Sequence, residues 1–299
     1  GLCYGEGALP DGRLEVEPFS TAEEKLLRSA NVPNLVDQLL SGCVRPPGGK
    51  WTGSFGIQDL VVPDRVFTLM QLRAISYGRV YHFEYRCDGC GDRVAGEQDL
   101  TELAVDWAPD DFSEPWEVYM DMRGVDLGLR MLRGKDEKAI MVWEKQQESR
   151  ARRNKTPRVG DIGYEYRLAR HIVTIDGDEA TLDEALRLVK ELRGMDLQDL
   201  NASLEECPGL DTRVEPICPN CAYPNPQELP MGSEFFRPSR HARASRKSVR
   251  GGRRAGADGG DKLRGRDADE GARADVVDTA HPGVGAGGTV EVQSPPQPA

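Results

Sequence analysis

The sequence predicts an α+β fold with three parts: a zinc-ribbon-like β core, a helical insertion within that core and a disordered C-terminal tail. Two Cys-x-x-Cys knuckles, Cys87–Cys90 and Cys218–Cys221, each follow a short run of alternating apolar and polar residues. Much of the sequence between the two knuckles has apolar residues at helical spacing. From Ser239 onward large apolar residues are scarce, and such a composition cannot bury enough surface to fold.

The two knuckles are a candidate structural zinc site. Zn²⁺ favours four thiolates in a tetrahedron, and a two-residue spacer lets both sulfurs of one knuckle face the same point. Cys90 and Cys218 are 128 positions apart, so the metal would unite the two halves of an interrupted sheet at the base of the insertion. We therefore predict one zinc ion with four ligands: Cys87, Cys90, Cys218 and Cys221.

Two disulfides or a redox motif are the alternatives to zinc. Disulfide frameworks are typical of small secreted domains, whereas this chain has 299 residues and an odd number of cysteines, seven. A thioredoxin-like motif leads into a helix, but both knuckles here lead into Gly or Pro turns. The remaining cysteines, Cys3, Cys43 and Cys207, are expected to be partly buried free thiols.

The pattern of apolar runs and turns divides the chain into five segments. They are an N-terminal strand–helix segment (1–62), the first half of the zinc-stapled core (63–133), the helical insertion (134–206), the second half of the core (207–238) and the disordered tail (239–299).

In the first two segments short strands alternate with helices. Ser20 and Glu23 have the spacing of a capping box, which predicts a helix after the first strand. A longer helix is predicted from Pro63 to the C-cap Gly78, with two arginines, Arg65 and Arg73, at its solvated margin. Further elements are a helix over 34–41, strands over 80–86 and 94–99, and a hairpin of 115–122 with 125–132.

The insertion is predicted to consist of three or four helices. A highly charged helix covers 134–153, and its basic end from Arg150 to Lys155 suits a solvated helix C-terminus. Residues 162–206 are predicted to be helical, with breaks at Asp176–Asp178 and Gly194–Met195.

Several functional classes are disfavoured. No apolar run approaches the roughly 20 residues of a membrane helix, so no membrane segment is expected. The formal charge of −11 disfavours nonspecific binding to nucleic acid. No nucleophile elbow, phosphate loop or His-Glu-x-x-His motif is present, and four cysteine ligands would leave zinc no open position for catalysis. The expected protein is not an enzyme.

Several motifs, in a fixed order, give the chain a family resemblance. They are Val16-Glu17-Pro18-Phe19-Ser20, Gln71-Leu72-Arg73-Ala74-Ile75-Ser76-Tyr77-Gly78, the first knuckle with Asp99-Leu100, Leu129-Arg130-Met131-Leu132-Arg133-Gly134-Lys135-Asp136-Glu137-Lys138, and the second knuckle with Leu229-Pro230-Met231 and Phe235-Phe236-Arg237-Pro238. This succession resembles the T-even-type bacteriophage baseplate-protein family. The chain departs from the family pattern at Arg237, where an aromatic residue is expected, in its long loop over 46–56 and in its tail.

The resemblance implies a noncatalytic protein of phage tail morphogenesis, either a baseplate hub component or a hub assembly factor. Its implied partners are baseplate or tail-hub proteins. Its implied location is the host cytoplasm during assembly, with the virion baseplate as the place of a retained component.

The alternative from the residues is a zinc-ribbon regulator that binds nucleic acid. Such a ribbon would need basic and exposed aromatic residues at its tips. The tips read Asp88-Gly89 and Pro219-Asn220, which disfavours this function.

Overall fold

The computed structural model describes residues 12–29, 34–155 and 160–232, together with residues 4, 9, 235 and 236 and the backbone of 290 and 291. The α+β prediction is confirmed: helices and short strands alternate along the described chain. The tail predicted over 239–299 lies outside the described residues apart from strand β13 (Val290–Glu291).

The N-terminal segment forms a small sheet with two helices. The sheet has the strand order β13, β1 (Glu15–Val16), β2 (Val44–Arg45), and all pairs are antiparallel. Helix α1 (Thr21–Arg28) begins at the predicted capping box, in which the Ser20 hydroxyl accepts from the Ala22 N–H and Glu23 accepts from the Ser20 N–H. Helix α2 (Leu35–Cys43) and the 3₁₀ turn Ile57–Asp59 complete a core with buried leucines at 39, 40 and 60.

Helix α3 (Val62–Tyr77) is the central helix of the first half, and it ends at Gly78 as predicted. The prediction that Arg65 and Arg73 lie at a solvated margin is wrong, because both side chains are buried. Arg65 binds the Asp37 carboxylate at 2.6 Å and the Ile57 carbonyl at 2.8 Å, and it also pairs with a glutamate of the next helix, Glu137, at 3.0 Å. A buried charge needs such partners to offset its lost hydration.

The strands after α3 form separate two-stranded sheets. Strand β3 (Val80–Arg86) pairs antiparallel with β4 (Arg93–Asp99) along its full length and buries every second residue. The other two-stranded sheets are β5 (Val105–Asp106) with β10 (Gly209–Leu210) and β11 (Arg213–Val214) with β12 (Gln227–Glu228). Among the described residues, β3–β4 and β11–β12 share no hydrogen-bonded strand edge. The expectation of one interrupted sheet is therefore wrong.

A second core surrounds a four-stranded sheet with the order β6 (Trp116–Met120), β7 (Val125–Leu129), β8 (Ile172–Ile175), β9 (Asp178–Glu179). Its helices are α5 (Tyr164–His171), α6 (Leu182–Glu191) and α7 (Met195–Glu205). The helical prediction is wrong over Ile172–Ile175, where four β-branched residues form β8. The break predicted at Asp176–Asp178 contains the Asp176-Gly177 turn, with positive φ at both residues, that leads into β9. This sheet crosses the predicted boundary at 133, and the five-segment division stays a prediction.

Helix α4 (Gly134–Asn154) begins at the junction between the N-terminal segment and this second core. Two backbone hydrogen bonds join 132–134 to 60–62: the Val62 N–H donates to the Leu132 carbonyl, and the Gly134 N–H donates to the Leu60 carbonyl. At the start of α4, Asp136 is buried and accepts from two guanidinium groups, Arg130 at 2.7 Å and Arg170 at 2.8 Å. Burial alone would raise the pKa of Asp136, but the hydrogen bonds from Arg130 and from the Arg133 N–H hold that pKa below its usual value.

A side chain at Gly134, at the start of α4, would meet Arg65 directly. A Cβ there would lie 2.5 Å from the Arg65 Nη1 atom, and Arg65 is fixed by three partners. We expect Gly134→Ala to lower the free energy of unfolding by about 1–3 kcal/mol, measured by urea titration. The matched control is Gly56→Ala, because no atom lies within 4 Å of a Cβ at Gly56 and its φ is −163°. Equal stability of the two variants would contradict this expectation.

Candidate metal centre

Two hairpin tips bring the four predicted cysteine ligands together. Cys87 and Cys90 lie in the turn between β3 and β4, and Cys218 and Cys221 lie in the turn between β11 and β12. The four sulfur atoms lie within 4.8 Å of one another. The first cysteine of each knuckle is buried and the second is exposed.

The two knuckles have equivalent backbone geometry. In the first, the Gly91 N–H donates to the Cys87 carbonyl at 2.8 Å; in the second, the Ala222 N–H donates to the Cys218 carbonyl at 2.8 Å. The residue after each second cysteine has a positive φ, 76° at Gly91 and 58° at Ala222. Ala222 therefore occupies a conformation that costs an L-residue roughly 1–2 kcal/mol, which the surrounding turn must offset.

The sulfur separations fit a tetrahedral metal site. The Cys87 and Cys221 Sγ atoms are 3.5 Å apart, and the Cys90 and Cys218 Sγ atoms are 3.8 Å apart. Ligands at about 2.3 Å from a tetrahedral Zn²⁺ have S···S edges of about 3.8 Å. A disulfide would need about 2.05 Å. The spacing therefore corresponds to four thiols around a common centre.

The thiol pKa values also differ between members of the cluster. Burial raises the pKa of the Cys87 thiol, but hydrogen bonds from the Cys90 N–H and from Cys221 outweigh it and bring that pKa to about 6. Despite a hydrogen bond from the Asp92 N–H, partial desolvation of the sulfur and hydrogen bonds with the neighbouring thiols raise the pKa of Cys90 to about 12. Adjacent thiolates repel one another, so one of these sulfurs ionises most readily. A bound cation would offset this repulsion between the thiolates.

Polar contacts between the knuckles surround the sulfur cluster, and they were not predicted from the sequence. The buried Asn225 accepts from the Asp88 N–H at 2.8 Å and donates to the Tyr223 carbonyl at 2.7 Å. The Asn220 amide donates to the Asp92 carboxylate at 3.1 Å. No local sequence pattern indicates that Asn225 connects two segments that are so distant in sequence.

Gly89 is the point of closest approach between the knuckles. A Cβ at Gly89 would lie 2.7 Å from the Tyr223 Cβ and 3.2 Å from the Cys221 Sγ. We expect Gly89→Ala to weaken metal binding about 10–100-fold, as changes next to metal ligands do, measured by cobalt(II) titration. Adding Tyr223→Gly should restore part of the affinity because it removes the nearest atom.

The control for the Gly89 variant is Gly232→Ala, since a Cβ at Gly232 meets nothing within 4 Å. Full affinity in Gly89→Ala, or no recovery in the double variant, would show that this close approach does not position the ligands.

The core beneath the cysteines connects them to α3. Inward-facing Tyr81, Phe83 and Tyr85 of β3 pack with Met70 of α3 and with Phe235. The buried Arg73 guanidinium lies over the rings of Tyr77, Tyr81 and Phe235 at 5.3–5.8 Å and donates to the Phe235 carbonyl at 2.6 Å. The first knuckle is thus held by the helix that precedes it, as the sequence suggested.

The described histidines and the remaining described cysteines lie outside the four-cysteine cluster. His82 points outward from β3, with its Nδ1 atom 3.6 Å from Glu97, and His171 is bound to the Arg130 carbonyl, with burial lowering its pKa. Cys43 and Cys207 are free thiols, and burial raises their pKa to about 12 and about 11. Cys3 lies outside the described residues.

Within the described residues, no helix is both long enough and apolar enough to cross a lipid bilayer.

One of the comparisons with known proteins places this chain in a family. The model of the family described as T4 bacteriophage base plate protein matches residues 6–237, which include all the described elements except β13. Neither the search of curated proteins nor the search of solved structures found a match. The family match includes both cysteine knuckles, α3 and the α4 junction. Membership of this family indicates a structural role in the phage baseplate, and by this match the chain belongs to the T4 bacteriophage base plate protein family.

Proposed function

We propose that this chain is a noncatalytic protein of phage tail morphogenesis, a baseplate hub component or hub assembly factor that acts through protein–protein contacts. The observation that carries the proposal is the family match over 6–237, which includes both cysteine knuckles and the helices between them. Its partners are other baseplate or tail-hub proteins. It acts in the host cytoplasm during assembly, and as a component it stays in the tail baseplate.

The second part of the proposal is that Cys87, Cys90, Cys218 and Cys221 hold one structural Zn²⁺. The S···S distances of 3.5 and 3.8 Å and the all-thiolate donor set support this metal. Four protein ligands complete the tetrahedron, so the ion has no position for a catalytic water. When bound, zinc supplies folding energy and fixes the two hairpin tips against each other.

Loss of the gene from the phage tests the assembly role. Host cells infected with the null phage should accumulate unassembled tails, visible by electron microscopy, and a plasmid copy of the chain should restore complete particles. Normal virion yield without the gene would refute the proposal. A plasmid copy with Cys207→Ser should also restore complete particles, because that free thiol lies outside the four-cysteine cluster.

Mass spectrometry of purified virions separates the two forms of the role. A hub component is present at a fixed copy number per particle, whereas an assembly factor is required for tails but absent from them. Absence from virions together with no binding to hub proteins in infected cells would contradict both forms.

A further inference from the structure

An exposed aromatic pair lies on the flank of α3. Trp107, just after β5, leaves 51% of its surface exposed, and its ring meets Phe67 of α3 edge to face with centroids 6.3 Å apart. Tryptophan is among the largest apolar side chains and is enriched where partners bind. The Phe67 contact holds the ring in place while it leaves one side open to a ligand.

Exposed carboxylates flank Trp107 along its own segment of the chain. Four exposed residues, Glu102, Asp106, Asp110 and Asp111, lie within five positions of the tryptophan. None of them forms a salt bridge with another described residue. The segment is held in place by the β5–β10 pairing and by a hydrogen bond from the Phe112 N–H to the Pro109 carbonyl at 3.0 Å. An exposed indole on a segment with four exposed carboxylates suits a ligand rich in arginine, which can both pair with carboxylates and stack on the ring.

The chain itself carries such a segment. Residues 237–254 contain seven arginines and one lysine and no acidic residue. They begin directly after Phe236, whose neighbour Phe235 lies against Arg73 of α3. Arg73 and Phe67 are six residues apart, or about 9 Å along the helix axis. Ten extended residues span up to about 33 Å, so the basic segment can reach Trp107 from its own chain.

We propose that residues 237–254 dock in cis on the surface formed by Trp107, Phe67 and the four carboxylates. Attraction between opposite charges draws the segment to the surface, and stacking of arginine on the indole orients it. Because the carboxylates are exposed, salt weakens the docking. A basic baseplate partner that bound the same surface would displace the segment, which would make the docked tail a competitor for that site. The docking itself does not depend on the proposed function.

A zero-length carbodiimide cross-link tests the docking in the full chain. Lys247 is the single lysine of the basic segment, and Lys262 lies further along the tail as an internal comparison. At low salt we expect Lys247 to link to Glu102, Asp106, Asp110 or Asp111 at least fivefold more often than Lys262 does. At 0.5 M salt this excess should fall to less than twofold, because screening is stronger.

Variants identify the surface. Asp110→Asn/Asp111→Asn and Trp107→Ala should each lower the Lys247 cross-links to the surface at least threefold and speed tryptic cleavage within 237–254. The matched control, Glu205→Gln/Glu206→Gln, changes two exposed carboxylates at the C-terminal end of α7. It should change neither the Lys247 cross-links nor the rate of tryptic cleavage. A mixture of ¹⁵N-labelled and unlabelled chains should give cross-links within one chain only.

Three results would overturn the proposal. They are no preference of Lys247 for these carboxylates, cleavage rates that do not respond to the surface variants, and cross-links between labelled and unlabelled chains. The last result would assign the segment to a second copy instead.

Discussion

Replacing Cys218 with serine is expected to reduce bound zinc from one ion per chain to well below stoichiometry. Cys218 is buried and its Sγ lies 3.8 Å from that of Cys90, so the loss removes one of four converging ligands. Structural zinc contributes roughly 10–16 kcal/mol in zinc-finger peptides, and we expect the variant to lose on the order of 5 kcal/mol of unfolding free energy. Metal analysis and thermal melting measure the two effects.

The same Cys218→Ser variant should also loosen a strand that is remote in sequence. Amide hydrogen exchange over β3 should become faster, because the proposed zinc ion would join its knuckle to the second one. The control Cys207→Ser changes a half-buried free thiol outside the cluster and should retain full zinc. Stoichiometric zinc and an unchanged melting curve in Cys218→Ser would refute a shared site.

Asp136→Asn is expected to destabilise the protein by about 3–5 kcal/mol in urea unfolding. The Asp136 carboxylate is buried between Arg130 and Arg170, and its removal leaves two guanidinium groups without their common counterion. The control Asp183→Asn changes an exposed residue of the first turn of α6 and should shift stability by no more than about 0.5 kcal/mol.

The pH dependence checks the origin of the Asp136 effect. Because the folded pKa of Asp136 lies below its unfolded value of about 3.9, the carboxylate contributes stability above that pH. This contribution is lost as pH falls through the folded pKa. The stability difference between wild type and Asp136→Asn should therefore be constant near pH 6 and shrink below about pH 4. A difference that stays constant down to pH 3 would mean that the charge of Asp136 is not its cause.

Local patterns predicted that the four cysteines cluster, and they predicted the bounds of several elements in the first half of the chain. The Ser20–Glu23 capping box and the C-cap Gly78 are written in adjacent residues, so the sequence displays them directly. The meeting of the two knuckles was predicted because metal-ligand spacing implies a partner even at long range, and the four sulfurs do converge. The identity of the metal and the segment boundaries are still predictions.

The failures come from interactions that no local pattern encodes. Arg65 and Arg73 look like solvent-facing residues of an amphipathic helix, but α3 is surrounded by α2, α4 and the aromatic residues of β3, so both become buried. Their burial depends on Asp37, Glu137 and the Phe235 carbonyl, which are remote in sequence. The β8–β9 hairpin does carry a local signal, an Asp-Gly turn after four β-branched residues, but the strong apolar stripe of α6 directly after it favours a helix.

The convergence of the two hairpin tips also has a consequence for the unfolded chain. With zinc bound as proposed, Cys90 and Cys218 close a loop of more than a hundred residues that contains the whole four-stranded sheet. A cross-link around about 100 residues removes enough chain entropy to stabilise a fold by about 4.7 kcal/mol in the loop-closure model. If the metal stays bound in denaturant, it restricts the unfolded ensemble, and the second core folds within a loop whose ends have already met. Zinc would then lower the entropic barrier to forming the long-range contacts of this fold as well as stabilise the finished structure.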